Sequence, residues 1–176
     1  MAVQINPPLN DAEARALKAG DEVLITGVIY TARDAAHRRL VSLLERGEEL
    51  PLDLEGQIIY YTGPTPPPPG RATGSAGPTT SSRMDVYTPP LLECGLKAVI
   101  GKGDRSDGVI EALKRHGAVY LAAVGGAGAL LAERISAAEA ILYPELGPEA
   151  VYRLEVADFP AIVAIDSHGA DLYRFG

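Results

Sequence analysis

Apolar and polar positions along this chain follow two periods, and their order predicts alternating helices and strands. Asn10 and Asp11 can cap a short helix through about Lys18, because a side-chain oxygen there accepts the first unpaired backbone N–H groups; Gly20 ends it. The segment 22–30 (EVLITGVIY) is rich in β-branched residues and bounded by polar ones, which predicts a buried strand, although Gly27 inside it weakens the pattern. Residues 33–46 place Ala36, Leu40, Leu43 and Leu44 at helical spacing, with Asp34 in the first turn and Gly47 as the stop. A strand follows at 57–62 (QIIYYT).

The pattern then breaks. Residues 63–83 (GPTPPPPGRATGSAGPTTSSR) consist almost wholly of Gly, Pro, Ser, Thr and Ala. Composition alone reads as a disordered linker. The halves on either side are too small to be independent domains, however, and a long irregular loop inside a compact domain is more often functional. Beyond it come a short helix at 89–93, a strand at 96–100 (LKAVI), a helix at 106–116 capped by Ser106 or Asp107, a strand at 118–124 (AVYLAAV) and a helix at 128–135. Strand, loop and helix thus repeat twice, which implies right-handed parallel crossovers. The carboxyl end reads as antiparallel: strands at 151–157 and 161–166, a turn at Ser167-His168-Gly169, and a strand at 171–175. The sum is a mixed α/β fold, taken as one domain over residues 1–176.

Composition narrows the function. A chain of 176 residues carries 16 Lys and Arg against 23 Asp and Glu, a net charge of −7. That argues against a nucleic-acid partner, because backbone binding by counterion release needs clustered cations. The single Cys94 excludes an internal disulfide and a Cys-rich metal or iron–sulfur site built from this chain alone, and it fits a reducing cytoplasm. No uninterrupted apolar run approaches the ~20 residues of a membrane span, and the amino end lacks the basic-then-apolar order of a signal peptide. A soluble cytoplasmic protein with no membrane partner is expected.

Several motifs invite chemistry. Gly125-Gly126-Ala127-Gly128 follows a strand and opens a helix, but Leu131 stands where a dinucleotide fingerprint needs its third glycine. Tight strand-to-helix packing, or binding of some other anion, is the better reading. Gly101-Lys102-Gly103-Asp104 lacks the order of a phosphate loop. His116 and His168 read as solvated helix-end or turn residues, and no histidine pair has metal-ligand spacing. His37 lies four residues after Arg33, so both fall on one side of a helix at its amino-terminal turns, where the dipole favours an anion. The alternative is that Arg33 pairs with a nearby acid while His37 packs beside Leu40 and Val41.

Arg33, Arg83 and Lys102 each stand where a strand or loop meets a helix. Parallel strands bring their carboxyl ends to one edge, so the loops after Tyr30, Thr62 and Ile100 can share a cleft. Two guanidinium groups and an ammonium suit a small dicarboxylate, since Arg holds a carboxylate through two parallel hydrogen bonds. Thr79, Thr80, Ser81 and Ser82 add hydroxyls, and a hydroxyl can accept a proton only where cations stabilise its anion.

The blocks GVIYTARDAAHRRL (27–40), GPTPPPPG to GSAGPTTSSRMD (63–85), IGKG (100–103), VGGAGALLA (124–132), YPELGPEA (143–150) and EVADFPAIVAIDSHG (155–169) resemble, in order and over nearly the whole chain, the carboxyl-terminal domain of class I fumarases. In two-subunit iron–sulfur hydro-lyases, fumarate hydratase and L(+)-tartrate dehydratase among them, that domain is a separate β subunit. The resemblance implies a swivelling β/β/α domain. It also implies a [4Fe-4S] cluster held by three cysteines of an α subunit, with one iron open to substrate, and no cofactor bound by this chain. Carried over by motif, Arg33, Arg83 and Lys102 bind substrate carboxylates beside Thr80, Thr79 acts as or assists the catalytic base, and His37, which matches the histidine of the first block, is expected to be catalytic with it. Ser82 departs from the glycine common before that arginine. The expected reaction is reversible hydration of fumarate to L-malate at a site shared with the α subunit. L(+)-tartrate dehydratase, mesaconate hydratase and a non-enzymatic dicarboxylate-binding module remain the alternatives. Family members assemble as dimers of α/β pairs, so association between β chains is expected too.

Overall fold

The computed structural model describes residues 2–123 and 128–174. Its elements in chain order are β1 (Val3–Ile5), α1 (Asp11–Ala16), β2 (Glu22–Thr31), α2 (Asp34–Glu45), β3 (Ile58–Tyr60), α3 (Thr88–Glu93), β4 (Ala98–Gly101), α4 (Asp107–His116), β5 (Val119–Ala123), α5 (Gly128–Ala132), β6 (Ile135–Leu142) and β7 (Val151–Ile165). Short 3₁₀ segments occupy Ser81–Met84, Pro144–Glu149 and Leu172–Arg174.

Local chemistry sets the helix ends. Asn10 and Glu13 form a reciprocal capping box on α1. Ser106 caps α4, and Gly117 closes it in the left-handed region at φ 64°, where a side chain would be strained. The first residue before α2, Arg33, offers no side-chain cap. Glu149 supplies one from a distant part of the chain, accepting the Ala35 N–H at 3.2 Å.

The strand order is β1-β2-β3-β4-β5-β7-β6, and β2 also pairs with β7, so the ladder closes into a ring of β2, β3, β4, β5 and β7. Neighbours from β1 to β5 are parallel. β7 runs antiparallel to β2, β5 and β6. Side chains alternate between two cores. Ile58, Tyr60, Ala98, Ile100, Val119 and Leu121 enter one, with Leu154, Val156 and Phe159 of β7. Ile59, Val99 and Tyr120 enter the other, under α2, α3 and α4. Both faces of β3 to β5 are therefore buried, which is why these strands read as continuous apolar runs. Each fully buried Ile, Leu or Phe contributes roughly 1.5–3 kcal/mol by leaving water.

Three expectations are corrected. The two strands expected at 151–157 and 161–166 are the single strand β7. Asp158, at φ 50°, is accommodated by a register shift opposite Ile25 and Gly27, and its N–H donates to Thr26 Oγ1 at 3.0 Å; Pro160 continues the strand opposite Leu24. A bulge thus absorbs what looked like a break. The helix expected at 128–135 stops at Ala132, and Ile135 starts β6 instead. The Ala-rich segment ISAAEAIL has helix-forming composition, but pairing along β7 overrides it. At the carboxyl end, only Asp171 bridges to Ile165 before a 3₁₀ turn, in place of a strand at 171–175. The amino-terminal strand β1 has too few residues to announce itself. Val124, Gly125, Gly126, Ala127 and Phe175 lie outside the described residues.

The Gly- and Pro-rich segment is irregular and tied down. Tyr60 Oη donates to the Ala76 carbonyl at 2.6 Å, and Thr62 Oγ1 to that of Gly77 at 2.7 Å. Thr65 and Ser75 bond across the excursion. A Cβ on Gly128 would lie 2.2 Å from Ser75 Oγ and 2.7 Å from Gly77 N, so this glycine serves close packing of the loop.

Candidate functional site

The loops that leave the carboxyl ends of β2, β3 and β4 meet on one edge of the parallel strands. Arg33 follows β2 by two residues. Beyond β3, the Thr79 N–H returns to the Tyr61 carbonyl at 2.7 Å, which fixes the threonine above the end of that strand. Lys102 follows β4 at once and forms a parallel bridge with Thr80, and the Ser81 N–H donates to the Lys102 carbonyl at 2.9 Å. Thr79 is half-buried, whereas Thr80 and Lys102 are exposed. The structure therefore sets Thr79, Thr80 and Lys102 side by side.

Arg83 sits on the 3₁₀ turn and turns toward the start of α2. Its Nε donates to Asp34 Oδ2 at 3.1 Å and its Nη2 to Oδ1 at 2.7 Å. This grip uses one edge of the guanidinium and leaves the Nη1 edge for another carboxylate. Arg83 hydrogen bonding holds the Asp34 carboxyl below its ordinary range. Arg33 Nε is buried with no partner among the described residues. A Cβ on Gly63 would lie 2.9 Å from Arg33 Cδ and from its Nη1, so the glycine at 63 is what admits this side chain. Asp34 is gripped by Arg83 and follows Arg33 directly in the chain.

His37 occupies a different place from the other candidates. It is fully buried, its Nδ1 bonds the Arg33 carbonyl at 2.8 Å, and its ring packs against Tyr61 and Tyr87 at centroid distances of 5.4 and 5.9 Å. Burial pulls its pKa down to about 4, so the ring is neutral, with the proton on Nδ1 where it can donate. Its Nε2 has no partner among the described residues. The expectation that His37 and Arg33 face the site together is thus corrected: His37 lies beneath it, holding the backbone that presents Arg33. His168 is exposed, and His116 ends α4, with its carbonyl accepting from Lys97 Nζ at 2.9 Å.

Two groups of residues at this edge escaped the sequence reading. The segment before β7 is stapled to α2: Arg39 meets Glu145 at 2.9 Å, and Glu149 caps the helix, as above. Beneath the Thr79–Arg83 segment lies a buried network of Arg105, Asp85, Tyr61, Thr88, Tyr120 and Ser81. An arginine flanked by Asp104 and Ser106 gives no sequence signal of burial; its inward turn follows from the tyrosines that only folding brings together. A depression of about 280 Å³, lined by Pro64, Thr65, Pro66, Thr73, Pro148 and Tyr152 among others, is mainly apolar and holds none of the candidate cations. The cationic edge is open.

Among the described residues, no group of three or more His, Cys, Asp or Glu is placed to hold a metal ion. Cys94, the one cysteine of the sequence, stands at the end of α3. The chain's residues do not fit an iron–sulfur cluster. No helix among the described residues is long and apolar enough to cross a membrane.

Comparison with known proteins gives a consistent result. The family model described as Fumarase C-terminus matches residues 1–176. The aerobic class I fumarate hydratase of Escherichia coli (strain K12) is 39% identical over 176 residues, covering 98% of this chain and 32% of that protein. Fumarate hydratase 2 of Leishmania major is 42% identical over 156 residues, 88% of this chain and 28% of the relative. The protein named "Putative L(+)-tartrate dehydratase subunit beta" of Methanocaldococcus jannaschii is 42% identical over 172 residues, 94% of this chain and 88% of its own length. The chain thus spans about a third of the fumarate hydratases it matches, and nearly all of a relative named as a subunit.

Proposed function

The chain belongs to the fumarase C-terminus family, and from that premise we propose that it is the β subunit of a class I fumarate hydratase, supplying the carboxylate- and proton-handling half of a shared site. The observation that supports this reading is that Thr79, Thr80 and Lys102 lie side by side past the ends of β3 and β4, while Arg83 grips Asp34, the residue after Arg33, past the end of β2. The open edge suits closure by a second chain, an α subunit, which would hold the [4Fe-4S] cluster that these residues do not fit. The name of the M. jannaschii relative, a subunit beta, supports a two-chain arrangement.

Elimination of water from malate breaks one C–H and one C–O bond. The C–H electron pair becomes the double bond, the proton passes to a base, and the hydroxyl leaves with a proton as water. Charge builds on the carboxylate next to the carbon that loses its proton, so fixed cations stabilise the transition state more than the ground state. Arg33 and Lys102 take that role, with Arg83 offering the edge that Asp34 leaves open. Thr79, anchored through its backbone to Tyr61, takes or relays the carbon-bound proton. Thr80, beside Lys102, adds a hydroxyl toward the same carboxylate.

A second reading, an L(+)-tartrate dehydratase β subunit, is favoured by the M. jannaschii relative. The test is co-expression with a cluster-bearing partner chain under anaerobic conditions and assay against fumarate, L(+)-tartrate and mesaconate. Fumarate is expected to turn over fastest. Tartrate turnover in its place supports the second reading, and absence of activity with all three overturns the hydro-lyase proposal in favour of a binding module.

A further inference from the structure

Of the three loops that carry the residues proposed for the site, the two after β3 and β4 are separate stretches of chain, and something must hold them in register. The main-chain link is slight: the Thr80–Lys102 bridge and the bond from Ser81 N–H to the Lys102 carbonyl. Three residues after Lys102, Arg105 turns inward. Its side chain has 0% exposure, although it carries a full charge.

We propose that Arg105 is a positioning residue for this site, whose buried guanidinium locks the Thr79–Arg83 loop to the Lys102 loop. The proposal rests on the reading of those loops as the carboxylate- and proton-handling groups. Its geometry spans both. Arg105 Nε donates to Asp85 Oδ1 at 2.7 Å, while Asp85 Oδ2 accepts the Ser106 N–H at 3.0 Å. Arg105 Nη2 donates to Thr88 Oγ1 at 2.8 Å and to Tyr61 Oη at 3.2 Å. Tyr61 is the residue whose carbonyl holds the Thr79 N–H. Thr88 Oγ1 in turn donates a hydrogen bond to the Met84 carbonyl at 2.9 Å, at the end of the turn that carries Arg83.

The aromatic rings complete the lock. The guanidinium carbon lies 5.2 Å from the Tyr61 ring centroid and 4.8 Å from that of Tyr120. Tyr120 Oη donates to the Gly103 carbonyl at 2.7 Å, and its other 2.7 Å contact, with Ser81 Oγ, is then one in which serine donates. The ring stacked on Arg105 therefore bonds one residue from each loop. A planar fork can meet Asp85, Thr88 and Tyr61 while lying against two rings; an ammonium keeps the charge and loses that plane. Burying a lone charge is costly unless it is paired and hydrogen-bonded, so a residue of this kind is explained by the geometry it imposes.

The test compares Arg105→Lys and Tyr120→Phe with the unaltered full chain by amide hydrogen exchange. In Arg105→Lys, protection at Thr79 and Ser81 is expected to fall at least about tenfold more than at β3, β4 and β5. Equal loss across all these amides, which marks a general stability role, or no loss at Ser81, overturns the proposal. Tyr120→Phe keeps the ring and removes the hydroxyl; Ser81 should again lose protection selectively, and unchanged protection there overturns the proposal even if Arg105→Lys fails to fold. With the partner chain present, kcat/KM of Arg105→Lys should fall on the order of 10²-fold, as expected for misplacement of binding groups by about 1 Å. Full rescue by Lys would mean that only charge balance matters and would overturn the positioning role. If the unaltered pair is inactive, the function proposed above fails, while hydrogen exchange still decides the role of Arg105.

Discussion

Two arginine–aspartate pairs with the same 2.7 Å contact stand in two regions of this molecule, Arg83–Asp34 on the rim of the cationic edge and Arg105–Asp85 on the floor beneath it. On the rim the side chains keep 47% and 30% of their exposure, so water and salt screen the pair and its contribution to stability is small. On the floor the exposures are 0% and 16%, and removal of one partner strands a charge away from water. Identical chemistry therefore serves two purposes. The rim pair can hand a guanidinium edge to an incoming carboxylate, whereas the floor pair has no such freedom and holds the loops that carry the rim.

The sharpest way to break this comparison is to remove the floor carboxylate. Asp85→Asn is expected to destabilise the fold by roughly 3–5 kcal/mol in urea unfolding, the cost of leaving a buried charge unpaired. A loss as small as that of a surface pair would place Arg105 in reach of water and erase the distinction. On the rim, Arg83→Met in the reconstituted pair should lower turnover by on the order of 10²–10³ while changing stability by no more than about 1 kcal/mol. Near-normal turnover would remove Arg83 from the site.

His37 belongs to the floor and sharpens the comparison through pH. The unfolded chain protonates this ring below about pH 6.5 and the folded chain only below about 4. The unfolded state thus binds more protons between those values. Stability is complete above pH 6.5 and falls by up to about 1.4 kcal/mol per unit as pH drops through the window. Denaturant melts of the unaltered chain and His37→Gln at pH 7, 5.5 and 4.5 should show this part of the slope vanish in the variant; an unchanged slope would mean the ring is not held neutral. The smallest effect concerns the wall of the site. Glu149→Ala removes the acceptor for the Ala35 N–H at the start of α2 and should cost about 1 kcal/mol, read as a lower melting temperature.

The sequence was most legible where local rules act alone. The Asn10 and Ser106 caps and the strands β2 to β5 follow from side chains within a few residues of one another. β6 was illegible because its Ala-rich stretch becomes a strand only along β7, and the length of β7 was hidden by a bulge whose partner, Gly27, lies about 130 residues earlier. Of the candidate residues, Arg33, Arg83, Lys102, Thr79 and Thr80 were nameable from motif and strand-end position. Asp34 and Glu149 were not, because their roles depend on which distant groups they meet. His37 was misplaced for a related reason: helical spacing says which residues share a side, and only the packing of Tyr61 and Tyr87 decides that this side is interior.

By itself, then, the sequence determined the family, the mixed α/β class and a short set of cations, since these rest on residue identity and local spacing. Tertiary structure decided which arginine faces solvent and which is buried. That choice depends on tyrosines, carboxylates and backbone groups far apart in the chain, and on the energy of charge in low dielectric, which no local pattern encodes.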